Sequence, residues 1–533
     1  LLIVNVVGAQ LTPIGLSDVR AQWFANEDPA GSGSGGTAAG GSVRGVPGDS
    51  LGAALAAGDF NCDAIEDLAT GVPGDADPGA PNEPLAGSVH VRYGVAGRGL
   101  AEGPAALVLR QAPEEAFSYE RFGAALAAGD FDGDGCADLA VGIPNDGWEE
   151  RGAVLIYHGH VSGLLALSAE YLDEISTSEP QHACASSRFG AALAAGNFDG
   201  DAFADLAIGV PSGCDNLSGL WIPGGSVFVA HGAAIGLVPF LGYRMSLNSF
   251  GFDPVEAEDR FGQSVAVGDF DADGHDDLAI GIPGEGGHGA VQIVMGSPFG
   301  LLFADNAFWA PGALGELPEF GDALGSSLAS GDFDGDGHDD LAIGSPFENL
   351  DPENTVLSVG TIAIAYGASG PAWFDLARTD RIRQGSIYGA GEDEPFDLFG
   401  WSLAAGDFDG DSYADLAIGH LLESELAEHG AVTILMGDAD GLLLSSRFRE
   451  LTPGRQGVPG DPLQGEQLFG TAVASADFDG SGFADLAIGI PGFEIGLSGD
   501  VGAEIILYGS LFADGFEIGA TARWSNSVGE PLF

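Results

Sequence analysis

The chain has 533 residues, 45% of them hydrophobic, and its 79 acidic against 17 basic residues leave a net charge of −62. Every basic residue is arginine. That field repels nucleic acid and anionic membrane surfaces at long range, and no apolar run approaches the roughly 18 residues a membrane-spanning helix needs, so neither nucleic-acid binding nor membrane insertion is expected.

The chain opens LLIVNVVGAQLTPIGLS (residues 1–17). One reading is the remnant of a signal peptide with a small-residue end at Gly8-Ala9. The favoured one matches it to a strand segment that recurs downstream, as in VTILMGDADGLLLSS (432–446), with GLSDVRAQW as the next strand. Residues 1–24 are then strands that complete the last repeat and close the structure on itself.

From about residue 50 to residue 509 one unit recurs seven times, at intervals of roughly 70 residues. Each copy begins with a hydrophobic-glycine pair: Leu51-Gly52, Phe122-Gly123, Phe189-Gly190, Phe261-Gly262, Leu324-Gly325, Phe399-Gly400 and Phe469-Gly470. A strand of small residues follows (AALAAGDF, SVAVGDF), then an acidic loop, then a strand of the form DLAIGIP whose residues alternate between two faces. A third strand ends in glycine, as in GSVHVRYG (87–94), and a more polar fourth leads onward. Four short strands cannot bury a face alone. Repeated radially they form an all-β seven-bladed β-propeller of four-stranded antiparallel blades, with small residues on the innermost strands where space is short. The phenylalanine at loop position 2 (Phe60, Phe131, Phe198, Phe270, Phe333, Phe408, Phe478) is expected to plug the core between blades.

The loops carry the chemistry. Between Asp269 and Asp277 stand five aspartates and no basic residue. Carboxylates about 4 Å apart repel by roughly 1 to 4 kcal/mol per pair at realistic dielectrics, so a cation is expected among them. Oxygen ligands at positions 1, 3, 5 and 9, with the carbonyl of position 7 and a turn glycine at position 6, suit calcium. Position 12 holds Ile280, not the glutamate of an EF-hand, and a strand follows where an EF-hand has a helix. The expected ligands are Asp59, Asn61, Asp63 and Asp67 with the Ile65 carbonyl, then Asp130, Asp132, Asp134 and Asp138 with that of Cys136. In the third unit they are Asn197, Asp199, Asp201 and Asp205 with Phe203; in the fourth, Asp269, Asp271, Asp273 and Asp277 with His275. The fifth offers Asp332, Asp334, Asp336 and Asp340 with His338, and the sixth Asp407, Asp409, Asp411 and Asp415 with Tyr413. The seventh has Asp477, Asp479, Ser481 and Asp485 with Phe483. Up to seven Ca2+ are expected. Units 2, 4 and 5, with four carboxylates and the turn glycine, should bind tightest. Units 1, 3 and 7 should be weaker, having Asn61 and Ala64, Asn197 and Ala202, and Ser481 respectively.

The phrase F-G-x-x-(V/L)-A-x-G-D-F-D-G-D-G-x-x-D-L-A-I-G-x-P resembles the FG-GAP repeat of the integrin α-chain propeller and its bacterial secreted relatives. The resemblance implies calcium in the loop between the first and second strands of each blade, and a ligand-facing surface on the opposite side. It also implies a single propeller over residues 1–509, followed by a short tail, 510–533. LFADGFEIGATARWS (511–525) in that tail resembles D-G-F-E-S-G-type tails of bacterial secreted proteins.

Four cysteines lie in the first three units. None forms a CxxC pair, and an even count in an apparently external protein favours two disulfides, Cys184–Cys214 and Cys62–Cys136, over four buried thiols. No H-E-x-x-H, G-x-S-x-G or phosphate loop is present, and the carboxylate pairs are assigned to metal, so no catalytic residue and no enzyme is expected. The reading is a secreted or cell-surface calcium-binding module for adhesion or recognition, with an unknown extracellular protein or glycan as partner. Trp148 and Trp221, on connections between second and third strands, are the first candidate anchors for that partner. The alternatives are a surface-layer or matrix protein in which calcium is glue, and a non-catalytic module of a secreted hydrolase.

Overall fold

The computed structural model describes residues 21–25, 50–75, 86–101, 107–111, 120–147, 149–176, 184–217, 220–251, 255–314, 319–349, 358–370, 373–387, 393–422, 429–442, 448–453, 458, 468–492 and 502–509. Seven four-stranded antiparallel sheets account for the repeats. Blade 4 shows the pattern: Ser264–Gly268, Asp277–Ile282, Ala290–Val294 and Asn306–Trp309 in sequential order. The first strands of successive blades neighbour one another around the ring, and that of blade 7 (Val473–Ala476) returns to that of blade 1 (Ala54–Gly58). Second strands are buried along their whole length in every blade, which explains their uninterrupted DLAIGI composition.

Small residues on the first strands are a packing requirement. A Cβ on Gly58, the last residue of blade 1's first strand, would lie 2.9 Å from the Cβ atoms of Ala128 and Ala137 in blade 2. The seven loop phenylalanines are each fully buried. Phe60 sits in one cluster with Val89 and Val91 of blade 1 and Leu126, Leu139 and Val141 of blade 2, so it joins blades as expected. Replacing such a ring by alanine costs about 3 to 5 kcal/mol. In five units the opening Phe or Leu forms a parallel bridge to the residue preceding the third strand of the blade before it, as in Gly152 with Phe189 and Gly225 with Phe261.

The ring closes by the same device: Leu51 bridges Gly502. Strand Ala21–Ala25 then pairs antiparallel with Ala503–Leu507 as the outer strand of blade 7. The third strand of that blade comes from residues 503–507, however, and not from the start of the chain; residues 1–20 lie outside the described residues, as does the tail 510–533. Across this seam Glu504, fully buried, accepts hydrogen bonds from Thr70 Oγ1 and, at 2.8 Å, from Arg92 Nε of blade 1.

Both expected disulfides are present, Cys62–Cys136 and Cys184–Cys214, with Cα separations of 4.9 and 6.1 Å.

Candidate metal centres

Antiparallel order puts the first-to-second and third-to-fourth turns of every blade on one face. Each acidic loop there is a frame of hydrogen bonds around its position-1 carboxylate. The N–H groups of positions 5 and 6 donate to the two oxygens: Asp273 and Gly274 to Asp269 at 3.0 and 2.9 Å, and Asp336 and Gly337 to Asp332 at 3.0 Å each. Blades 1, 2, 6 and 7 repeat this at Asp59, Asp130, Asp407 and Asp477. The position-6 N–H reaches inward because that residue is left-handed, at φ 89° in Gly274 and 90° in Gly135. Ala64 and Ser412 adopt the same conformation at φ 66° and 74°, at a cost of about 1 to 2 kcal/mol each. Blade 3 departs from the frame. Ala202 is not left-handed, and the Asn197 amide donates instead to the Asp201 carbonyl at 2.8 Å.

Position 4 carries a further backbone requirement. It too is left-handed in all seven loops, and where it is glycine its missing Cβ leaves room for the position-7 side chain of the next blade. A Cβ on Gly133 would meet Phe203 at 2.6 Å, and one on Gly335 would meet Tyr413 at 2.5 Å. Between blades 1 and 2 that same pair of positions holds Cys62 and Cys136, so the disulfide makes a recurring contact covalent. The loops are further linked by position-8 N–H groups donating to the preceding loop's position-1 carbonyl, as in Ala137 to Asp59 and Asp339 to Asp269. Asp276 and Asp339 are braces between blades and not members of their own loop's ring. Their Oδ2 atoms accept from the Asn197 and Asp269 backbone at 2.7 and 3.1 Å.

The position-9 aspartate is the most regular feature. In blade 4, Asp277 is 1% exposed and accepts from Phe270 N at 2.8 Å and Gly296 N at 2.7 Å. The same two bonds recur at Asp67, Asp138, Asp205, Asp340, Asp415 and Asp485. One carboxylate thus ties the loop, the second strand and the end of the third strand. Burial pushes the carboxyls of Asp67, Asp277, Asp340, Asp415 and Asp485 up to about 8, against the pull of those backbone N–H groups, and neighbouring loop aspartates push further. A desolvated carboxylate facing other carboxylates is stabilised by a nearby cation.

Loops that bring position-1, -3 and -5 oxygens within 4.8 Å of one another include those of Asp130, Asp132 and Asp134, of Asp269, Asp271 and Asp273, and of Asp332, Asp334 and Asp336. The donor set is hard oxygen and fits calcium. Other side chains then distinguish the blades. In blade 5, Arg378 of the outer strand makes an ion pair with Asp334 Oδ2 while lying 3.9 Å from the Tyr366 ring centroid. In blades 2 and 3, His158 and His231 near the ends of the third strands face Asp132 and Asp138, and Asp199 and Asp205. In blade 4 Asp271 Oδ1 is buried with no hydrogen-bond partner. His275 and His338 turn their rings toward Asp273 and Asp336 at 2.9 and 3.0 Å.

On the opposite face, Trp221 lies on a small hairpin, Asp215–Leu217 with Leu220–Ile222, between the second and third strands of blade 3, and is 45% exposed. Trp148 lies outside the described residues.

Comparison with known proteins adds the following. A model of the FG-GAP repeat matches residues 122–157, 189–216, 261–299, 324–363 and 399–435. The chain is 34% identical over 239 residues to integrin alpha-PS2 of Drosophila melanogaster, a match covering 44% of this chain and 15% of that one. It is 32% identical over 170 residues to phosphatidylinositol-glycan-specific phospholipase D of Bos taurus, covering 30% of this chain and 19% of the enzyme. The chain thus spans less than a quarter of these relatives' lengths. Among solved structures, a rhamnogalacturonan lyase of Bacillus licheniformis aligns at 13% identity with a TM-score of 0.41, over 86% of this chain and 71% of that one.

Proposed function

We propose, from the premise that this chain is an FG-GAP repeat propeller of the integrin alpha-like kind, that it is a secreted or cell-surface recognition module whose loops are set by calcium. The observation that carries this reading is the desolvated position-9 aspartate beside a cluster of loop carboxylates, repeated around one face. Calcium would be held by positions 1, 3, 5 and 9 with the carbonyl of position 7. Its charge would offset the carboxylates, and the loop, second strand and third strand would be fixed together through position 9. Blade 4, with Asp269, Asp271, Asp273 and Asp277, is the principal site, because no arginine or third-strand histidine competes there and Asp271 Oδ1 is buried without a partner. The propeller forms one unit through residue 509, and 510–533 is a tail.

A face held rigid by metal makes the connections on the other face a preorganised platform. The occupant is an extracellular protein or glycan, and Trp221 is the candidate anchor, since aromatic side chains dominate binding energy at interfaces. The module is non-catalytic. Probing glycan and extracellular-protein arrays in about 2 mM calcium and again in excess chelator tests this. Calcium-dependent capture that is lost in Trp221→Ala is expected. Calcium uptake with no capture on any array would leave a structural matrix role and overturn recognition. The similarity to phosphatidylinositol-glycan-specific phospholipase D favours one second reading, a non-catalytic module that works alongside a hydrolase.

A further inference from the structure

We propose that blade 2 carries a mixed nitrogen–oxygen metal site in which His158 joins Asp132 and Asp138 to take a first-row transition cation such as Mn2+, Co2+ or Zn2+ in preference to calcium. The proposal rests on the reading of the loops as metal sites and assigns this one a different metal.

His158 follows from the chain's geometry. It stands just before the glycine that ends the third strand, where blades 1, 5 and 7 have Tyr93, Tyr366 and Tyr508 and blades 4 and 6 have Met295 and Met436. From there the ring enters the loop of its own blade. Nδ1 lies 3.4 Å from Asp132 Oδ2 and 3.3 Å from Asp138 Oδ1, and it makes no hydrogen bond although the atom is buried. The three ligand atoms lie within 4.8 Å of one another. Metal–ligand bonds of about 2.1 Å in a tetrahedral site place neighbouring ligands about 3.4 Å apart, close to the spacing found.

The other ring nitrogen is held from outside the loop. Nε2 lies 2.9 Å from Glu170 Oε1 on the outer strand. Asp138 and Glu170 favour a proton on both ring nitrogens in the metal-free loop; a metal would displace the one on Nδ1, leaving Nε2–H donated to Glu170 and the Nδ1 lone pair directed at the ion beside Asp132 and Asp138. This is how protein carboxylates orient metal-binding histidines. Imidazole nitrogen suits first-row transition ions, whereas calcium selects oxygen. Asp138 keeps both oxygens on backbone donors, Phe131 N at 3.0 Å and Gly159 N at 2.8 Å, and retains lone pairs for a metal.

Blade 3 is the near match: the ligand atoms of Asp199, Asp205 and His231 also lie within 4.8 Å of one another, and what sets it apart is the ring's hydrogen bond and the loop's first residue. His231 Nδ1 is already hydrogen-bonded to Asp205 Oδ1 at 3.1 Å, stands 3.8 Å from Asp199 Oδ2, and shares its loop with Asn197 at position 1.

The test uses the full, untagged chain and Co2+ as the spectroscopic probe, titrated with calcium held in millimolar excess. One equivalent of Co2+ should bind with visible d–d absorption and resist displacement. His158→Gln should abolish that absorption, Glu170→Gln should weaken Co2+ by about 10- to 100-fold, and His231→Gln should change neither. Calcium content, measured separately by elemental analysis, reports the other loops. Co2+ bound equally well by His158→Gln, or no Co2+ band in the wild type, overturns the proposal whether or not calcium loads the remaining loops. Absence of calcium together with a His158-dependent Co2+ band would instead sink the calcium reading and leave this site standing.

Discussion

Replacing Asp277 by alanine removes the acceptor of two buried backbone N–H groups, those of Phe270 and Gly296, which it binds at 2.8 and 2.7 Å. No water reaches a side chain that is 1% exposed, so both donors lose their partner at once. Each orphaned donor costs about 1 to 3 kcal/mol, giving a loss of about 2 to 6 kcal/mol confined at first to blade 4. The isosteric Asp277→Asn keeps one acceptor oxygen and should lose about half as much in calcium. In chelator the balance changes, because the wild-type carboxyl is pushed up to about 8 by burial, while the amide carries no charge to desolvate. Asp277→Asn should then be close to neutral at pH 7.5. Hydrogen exchange read by mass spectrometry on peptides covering 268–296 resolves the effect locally, with melting curves in calcium and in chelator alongside. Protection of the Phe270 and Gly296 amides unchanged in Asp277→Ala would refute the reasoning. So would an Asp277→Asn penalty that is the same with and without calcium.

Chelation should lower the melting temperature by at least several degrees, because each site contributes RT ln(1 + [Ca]/Kd), about 1.4 kcal/mol at tenfold saturation; sodium chloride should restore only part of it by screening, and identical curves in chelator and in calcium would exclude the loops as calcium sites. The five aspartates at about 8, against 3.8 for an ordinary aspartate, bind their protons more tightly in the fold. Their contribution is complete below pH of about 4 and lost as pH rises through about 8, so metal-free protein should melt progressively lower from pH 5 to 8, and a rising curve over that range contradicts the assignment. Arg378→Gln frees Asp334 Oδ2 from its ion pair and should raise calcium affinity at blade 5 by about three- to tenfold in calorimetric titration, one kcal/mol being about fivefold; unchanged or weaker binding counts against competition. Glu504→Ala removes the carboxylate facing buried Arg92 across the seam and should destabilise by about 3 to 5 kcal/mol; a loss under about 1 kcal/mol by denaturant titration would show that the seam does not depend on this pair.

The repeat made most of the architecture legible, because a strand pattern recurring with its Phe-Gly pair and loop phenylalanine has few other folds open to it. The Cys62–Cys136 bridge was legible for a related reason, the two cysteines falling at positions 4 and 7 of neighbouring loops. Less of the site could be read. The sequence ranks loops 2, 4 and 5 together by carboxylate count, but His158 and Arg378 arrive from the third and outer strands, 20 or more residues downstream of the aspartates they face. Only register and side-chain length decide that they reach. Asp276 looked like part of a metal cluster because it stands beside Asp277; strand alternation sends it to the neighbouring blade instead. Glycine at position 4 in five of the seven loops was a signal for its left-handed backbone.

Closing the ring has a consequence for how it can come apart. Thr70 and Glu504, in contact across the seam, are 434 residues apart, and confining a chain of that length to one contact costs about 5 kcal/mol of loop entropy. Strand Ala21–Ala25, the Leu51–Gly502 bridge and the Glu504 contacts are what stand against that cost. An open solenoid that loses a terminal repeat gives up one interface and remains a shorter solenoid. A circle has no terminal repeat: excising any blade removes two interfaces and leaves six wedges to span a seven-wedge circumference. Mutational damage should therefore be tolerated within a blade far better than the loss of one.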